Sequence, residues 1–266
     1  MTYYSRMILM ICFCLVCALG SAGVAVAGSS QAEGEAYFDA ETIIGFSKKV
    51  EKSLAAKGAR VAILARVGRP RKYLPEGINF THTALAVYSR ITTADGRVVP
   101  GYAIYNLYQK AGQPDVSELV QDYPVDFFAG VQVLEAGVVI PKPYLQRRLL
   151  EVLASESYKD FHNPSYSAIA NPYTLELQNC TEHLLDTLFC AIYNTKNIKQ
   201  IKANQKAYFK AQPVKVNPVK LALGSMFAAD ITTADHPGSP KTTTFTTIGN
   251  FLDDFGLVSE RYILTE

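Results

Sequence analysis

Past residue 27 the chain has no apolar run approaching the roughly 20 residues that a membrane-spanning helix requires. Its formal net charge is only +2, too small to draw the chain to nucleic acid or to an anionic membrane surface. It has no internal repeat, no low-complexity tract and no Cys/His spacing of the zinc type, so neither a repeat architecture nor a metal cofactor is expected; no cofactor of any kind is called for. Cysteine is scarce as well, with five in 266 residues. Three of these, Cys12, Cys14 and Cys17, lie in the N-terminal apolar segment, which leaves only Cys180 and Cys190 beyond it.

The N-terminal segment has the layout of a secretory signal peptide. Arg6 precedes an apolar run over residues 7–19, and small residues then lead to Ala25-Val26-Ala27. Cleavage is expected after Ala27, giving a periplasmic chain of residues 28–266 with no integral membrane segment. Lipid attachment at Cys17 is disfavoured because Val16 stands where a small residue is wanted. Residues 28–266 suit one domain with a substantial core.

Two free thiols in an oxidising compartment call for an explanation. On one helix, ten residues apart, their α-carbons would be about 15 Å apart at 1.5 Å rise per residue. A disulfide tolerates about 7 Å at most. Cys190, among Leu188, Phe189 and Ile192, reads as core. Cys180 sits in Gln178-Asn179-Cys180-Thr181-Glu182-His183, where a polar stretch becomes an apolar helix. Asn179 is a good N-cap and Glu182 follows at capping-box spacing, which makes Cys180 the first helical residue. The helix dipole and free amides there favour a thiolate.

A nucleophilic thiol needs a base, and His82 opens the strand-like run His82-Thr83-Ala84-Leu85-Ala86-Val87. The other histidines are weaker candidates. His183 follows Cys180 by less than a turn and is expected on the helix surface; His236 stands in an Asp-His-Pro-Gly loop with no strand to hold its ring; His162 reads as loop.

Periodicity and breakers predict a helix over 39–56 capped by Asp39, and a strand over 61–67. Strands at 82–89 and 102–108 are joined across Asp95-Gly96. A strand over 131–140 precedes a helix from Pro143 to about Ala154. Residues 155–178 are irregular, the Lys-rich 196–210 segment is a solvated helix, and a strand is expected over 242–248. The layout is α+β with a mostly antiparallel sheet against the cysteine-bearing helix.

An orienting residue for His82 should lie on the returning strand, which offers Asn106 and Gln109. A strict two-residue turn at Asp95-Gly96 sets Gln109 opposite His82. A one-residue bulge at Pro100-Gly101 would bring Asn106 there instead.

A histidine opening a His-x-Ala-hydrophobic strand, a polar residue within the next strand, and a following Asn-Cys helix start together resemble the NlpC-type papain-like superfamily. The order resembles its circularly permuted branch, which includes lecithin retinol acyltransferase, with Thr181 as an insertion relative to that enzyme's Asn-Cys-Glu-His. The longer pattern of Asn171-Pro172-Tyr173, Gln178-Asn179-Cys180 and Asp235-His236-Pro237 also resembles an uncharacterised family of exported bacterial proteins. The resemblance implies a permuted papain-like fold with Cys180 as nucleophile, His82 as base and Asn106 as orienter. It further implies an amide- or ester-cleaving hydrolase or acyltransferase acting on peptide, peptidoglycan or lipid in the envelope. The alternative is a non-catalytic envelope-binding protein that uses the same cleft with a buried cysteine.

Overall fold

A computed structural model describes residues 36–215 and 231–266; the expected signal peptide and its cleavage site lie outside these residues. Asp39 accepts from Thr42 N and starts α1 (Ala40–Ala56). β1 (Val61–Val67) follows, buried throughout. Then come β2 (His82–Thr92), β3 (Val98–Lys110), β4 (Gln113–Asp122), α2 (Pro124–Ala129), β5 (Val133–Pro141), α3 (Pro143–Leu153) and the single turn α4 (Ser157–Asp160). The cysteine helix α5 (Cys180–Tyr193) leads to α6 (Ile198–Tyr208), the short pair β6 (Gln212–Pro213) and β7 (Lys241–Thr242), α7 (Phe245–Asp254) and β8 (Val258–Thr265).

Six strands form one antiparallel sheet in the order β4-β3-β2-β1-β5-β8. Because β1 is apolar on both faces, helices must cover both sides of the sheet. Val61, Ile63, Ala65 and Val67 pack with α3, α5, α6 and α7, whereas Ala62 and Leu64 pack with α1 and α2. The alternation continues in β2. Leu85 and Val87 join the α5 layer, and Ala84 and Ala86 join the α1–α2 layer. The observed class is thus mixed α+β with a mostly antiparallel sheet carrying the cysteine helix on one face.

The β2–β3 hairpin differs from both expected registers. Thr93 N donates to Arg97 O and Gly96 N to Thr93 O, both at 2.8 Å, and Gly96 has φ +81°. This is a type I turn closed by a left-handed glycine, a conformation that suits Gly because it lacks a Cβ. Pairing begins at Thr92↔Val98 and runs unbroken through Arg90↔Pro100 and Ser89↔Gly101. The one-residue slip therefore lies in the turn, and no bulge is needed at Pro100-Gly101. With Ala86↔Ile104 in register, even-numbered residues of the two strands share a face, and Asn106 falls on the His82 side.

The expected strand over 242–248 is corrected. Only Lys241–Thr242 is strand, paired with Gln212–Pro213, and Phe245 opens a helix. Thr244 and Thr247 form a reciprocal capping box there, so the threonine run that reads as β-prone is a helix start. The strand β4 and the edge strand β8 are additions that the sequence pattern did not suggest.

The irregular stretch before α5 is braced by its polar side chains. Asn163 Nδ2 donates to Leu175 O and Glu176 O, and Gln178 Nε2 donates to Phe161 O and Asp186. Asn171 N and Nδ2 donate to Asp235 Oδ2 and O at 2.7 and 3.0 Å. The Asn-Pro-Tyr and Asp-His-Pro segments thus meet, and together they hold the approach to the cysteine helix.

Candidate active site

Cys180 is the first residue of α5, as its sequence context predicts. Asn179 Oδ1 accepts from Glu182 N at 3.0 Å, and Asn179 Nδ2 donates to Ala168 O and Thr242 Oγ1. Only half of the expected capping box forms. The Glu182 carboxylate turns instead to Lys202 Nζ, 2.7 Å away. The thiol is 8% exposed, and the backbone N–H groups of Thr83, Thr181 and Cys180 are directed at it. Burial outweighs these amides and the nearby Arg66 charge, pushing the thiol pKa up. The expected thiolate is corrected accordingly: the resting group is a neutral thiol, because the helix start is buried.

His82 lies on the α1–α2 face, stacked on Tyr108 with centroids 4.8 Å apart and flanked by Phe127. Its Nε2 is 3.0 Å from Asn106 Oδ1. Asn106 Nδ2 donates to Asp122 Oδ1 at 2.7 Å, and Tyr108 OH donates to Asp122 Oδ2 at 2.8 Å. With the Asn106 amide committed to Asp122 as donor, its oxygen accepts from His82 Nε2–H. The ring is therefore held as the tautomer whose lone pair is on Nδ1. Burial, with the Arg66 charge second, lowers the His82 pKa to about 3, so the imidazole is a neutral base across the usual pH range. Burial raises Asp122 to about 7. Sequence reading missed Asp122, Tyr108 and Arg66. The first two belong to this network through β4 and β3, and a polar residue ending a strand gives no local sign of that.

Gln109 is half-buried and donates to Pro114 O, so Asn106 holds the histidine. Asn106→Ala should therefore slow iodoacetamide alkylation of Cys180 roughly tenfold, short of the 10²–10⁴ carried by a complete general base. Gln109→Ala should leave that rate unchanged. Peptide mapping of both variants by mass spectrometry checks this.

Cys180 and His82 line one cleft at the sheet end where β1 finishes and β2 begins. Arg66, Phe80, Tyr166 and Asn179 share its walls. The two residues approach from opposite faces of the sheet. Thr83 rather than His82 shares the α5 face, and no hydrogen bond joins the thiol to His82 among the described residues.

The remaining histidines occupy other places. His183 is buried, not on the helix surface as expected. Its ring meets Tyr158 edge-on at 4.8 Å, and both nitrogens lack hydrogen-bond partners. It shares with Cys180 a separate small cavity behind the thiol. Nε2 of His236 is 2.9 Å from Ile169 O, and His162 pairs with Ser117 Oγ at 3.1 Å. Cys190 is core.

Four buried groups set opposing pH dependences. Burial lowers His82 and His183 from 6.5 to about 3, so the unfolded chain binds more protons between those values and stability rises with pH. Burial raises Asp122 from 3.8 to about 7 and Glu182 from 4.5 to about 8, so the folded chain binds more protons and stability falls as pH climbs those windows. Between pH 4.5 and 6.5 the pairs offset; above 6.5 only the carboxyls act. The melting temperature should be level from about pH 4.5 to 6.5 and decline towards pH 8. Scanning calorimetry showing a maximum near pH 8 would contradict this assignment.

The fold and site define a mixed α+β protein with a buried cysteine at a helix start and a histidine–asparagine–aspartate network beside it. A family model described as "Uncharacterized protein conserved in bacteria (DUF2145)" matches residues 53–252, and the chain belongs to that family. No curated protein and no solved structure matches it.

Proposed function

We propose that this protein is an exported thiol hydrolase or acyltransferase of the permuted papain-like type, cleaving an amide or ester through a Cys180 thioester. The carrying observation is the His82 Nε2–Asn106 Oδ1 hydrogen bond of 3.0 Å on the wall of the cleft that Cys180 also lines. It leaves Nδ1 as the ring's basic nitrogen. The apolar N-terminal segment supports a periplasmic location, where peptide, peptidoglycan or lipid would be the substrate.

The charge states favour a mechanism starting from neutral partners. His82 Nδ1 takes the Cys180 proton as the sulfur attacks the carbonyl carbon, and the negative charge moves to the carbonyl oxygen. The amides at the α5 start stabilise that oxyanion. The intermediate collapses as the imidazolium gives its proton to the leaving group, leaving the thioester. Water or a second acceptor, deprotonated by His82, then releases the acyl group. Substrate binding has to bring the sulfur and Nδ1 together, since they start on different faces of the sheet.

The second reading is a binding protein without catalysis, and the burial of both Cys180 and His82 favours it. Alkylation separates the two. In the enzyme, Cys180 should react with iodoacetamide faster than Cys190, and its pH profile should show no inflection near 6.5, because His82 stays neutral down to about 3. His82→Ala should slow the reaction, while His183→Ala and His236→Ala should leave it within a few-fold of the parent. Equal reactivity of Cys180 and Cys190, unaffected by His82→Ala, would leave only the binding reading.

A further inference from the structure

Arg66 is the residue of the cleft that the acyl-transfer chemistry leaves unused. It is the cross-strand partner of His82 on β1 and is 3% exposed. The guanidinium lies between the Tyr108 and Phe127 rings, 5.8 and 5.2 Å from their centroids. Nη1 donates to Phe127 O at 2.6 Å, while the buried Nε has no partner. No carboxylate lies within ion-pair distance of it among the described residues. Asp122, the acid nearest in the network, is engaged by Asn106 and Tyr108.

Burying a cation without a counterion is costly, so such a charge is normally paired or meets an anion. Among the described residues the cleft lining supplies no anion. Its charged lining among the described residues is Arg66 and Arg69, with no aspartate or glutamate. Thr242, Thr243 and Thr244 also line it, and the buried Thr243 Oγ1 is without a partner. The α5 N-terminus, with the positive end of its dipole, opens into the same space. A buried cation, an unused hydroxyl and a helix start thus line the same cleft as the Cys180 sulfur.

The geometry points to a carboxylate-binding subsite formed by Arg66 and Thr243, which selects substrates bearing a free carboxylate close to the scissile carbonyl. A C-terminal residue or an acidic side chain of a peptide has that chemistry. The planar guanidinium fork matches a carboxylate. The inference rests on the proposed Cys180 chemistry for its substrate, but the anion site can be tested apart from turnover.

Iodoacetate and iodoacetamide form the same S–CH2 bond with loss of iodide, and differ in a carboxylate against an amide. Their rate ratio at Cys180, measured by peptide mass spectrometry on the full chain, reports the subsite. The ratio should exceed that of glutathione roughly tenfold, the scale of one charge-assisted hydrogen bond. It should fall to the glutathione value in Arg66→Met and be partly kept in Arg66→Lys. A native ratio equal to that of glutathione, or one retained in Arg66→Met, overturns the proposal. Should Arg66→Met fail to fold, competition on the native chain decides instead: acetate should slow iodoacetamide alkylation of Cys180 and acetamide should not, and equal protection by both overturns it. Slow alkylation of Cys180 by both reagents with a raised ratio would sink the nucleophile reading and keep the anion site. Fast alkylation without carboxylate preference would do the reverse.

Discussion

Cys180→Ser should abolish turnover while the protein melts close to the parent temperature; Cys190→Ser should do the opposite. Both thiols are buried, yet their surroundings differ. Cys180 stands at a helix start, lines the cleft and has backbone N–H groups directed at it. A serine hydroxyl there finds donors already in place, so the stability loss should be about 1 kcal/mol or less. Cys190 is enclosed with Leu188, Phe189 and Ala191 in the larger core cluster. A hydroxyl left unpaired there costs about 1–3 kcal/mol. Calorimetry of the two variants, with hydrolysis of an acyl substrate as the second readout, separates a reactive cysteine from a packing one. Equal destabilisation by both, with activity intact in Cys180→Ser, would reduce Cys180 to core.

The largest stability effect is expected at Lys202. Its Nζ lies 2.7 Å from Glu182 Oε1 and 2.8 Å from Asp186 Oδ1, all three side chains nearly sealed from solvent. Gln205 and Gln178 donate to the Asp186 carboxylate as well. The cluster ties α6 to the first turns of α5 and to the residue two before Cys180. Lys202→Met removes the cation from between the two buried acids and breaks its ion pair with Asp186, at about 3–5 kcal/mol for a broken buried pair. That corresponds to a fall of roughly 6–20 °C in melting temperature for a chain this size. Replacing Glu182 and Asp186 with apolar residues in the same variant should recover most of the loss, since a wholly apolar cluster leaves no stranded charge. A Lys202→Met protein that melts with the parent would show that the cluster does not hold the cysteine helix.

Lys202 also shows where sequence reading reached its limit. The lysine-rich helix over 196–210 was expected to be solvated, and Lys199 and Lys206 are indeed exposed. Lys202 points inward because Glu182 and Asp186, distant in sequence, stand on the helix packed against it. The strand over 242–248 failed for a related reason. Threonine has a high strand preference, but a threonine three residues after another can also close a capping box, and local preference does not choose between them.

Cys180 as the first residue of α5, its Asn179 cap, α1 with its Asp39 cap, the strand β1 and the α+β class were legible in the sequence. Each depends on residues a few positions apart, where capping and periodicity act. Register, protonation and partnership were left to the tertiary structure. Asn106 rather than Gln109 meets His82 because a five-residue turn shifts the strands by one, and one residue of slip exchanges faces. The Cys180 thiol is neutral because packing removes the water that a thiolate needs, which overrides the helix dipole that the sequence does reveal. Asp122, Tyr108 and Arg66 join the site because three strands place them side by side, a proximity that one-dimensional pattern does not contain.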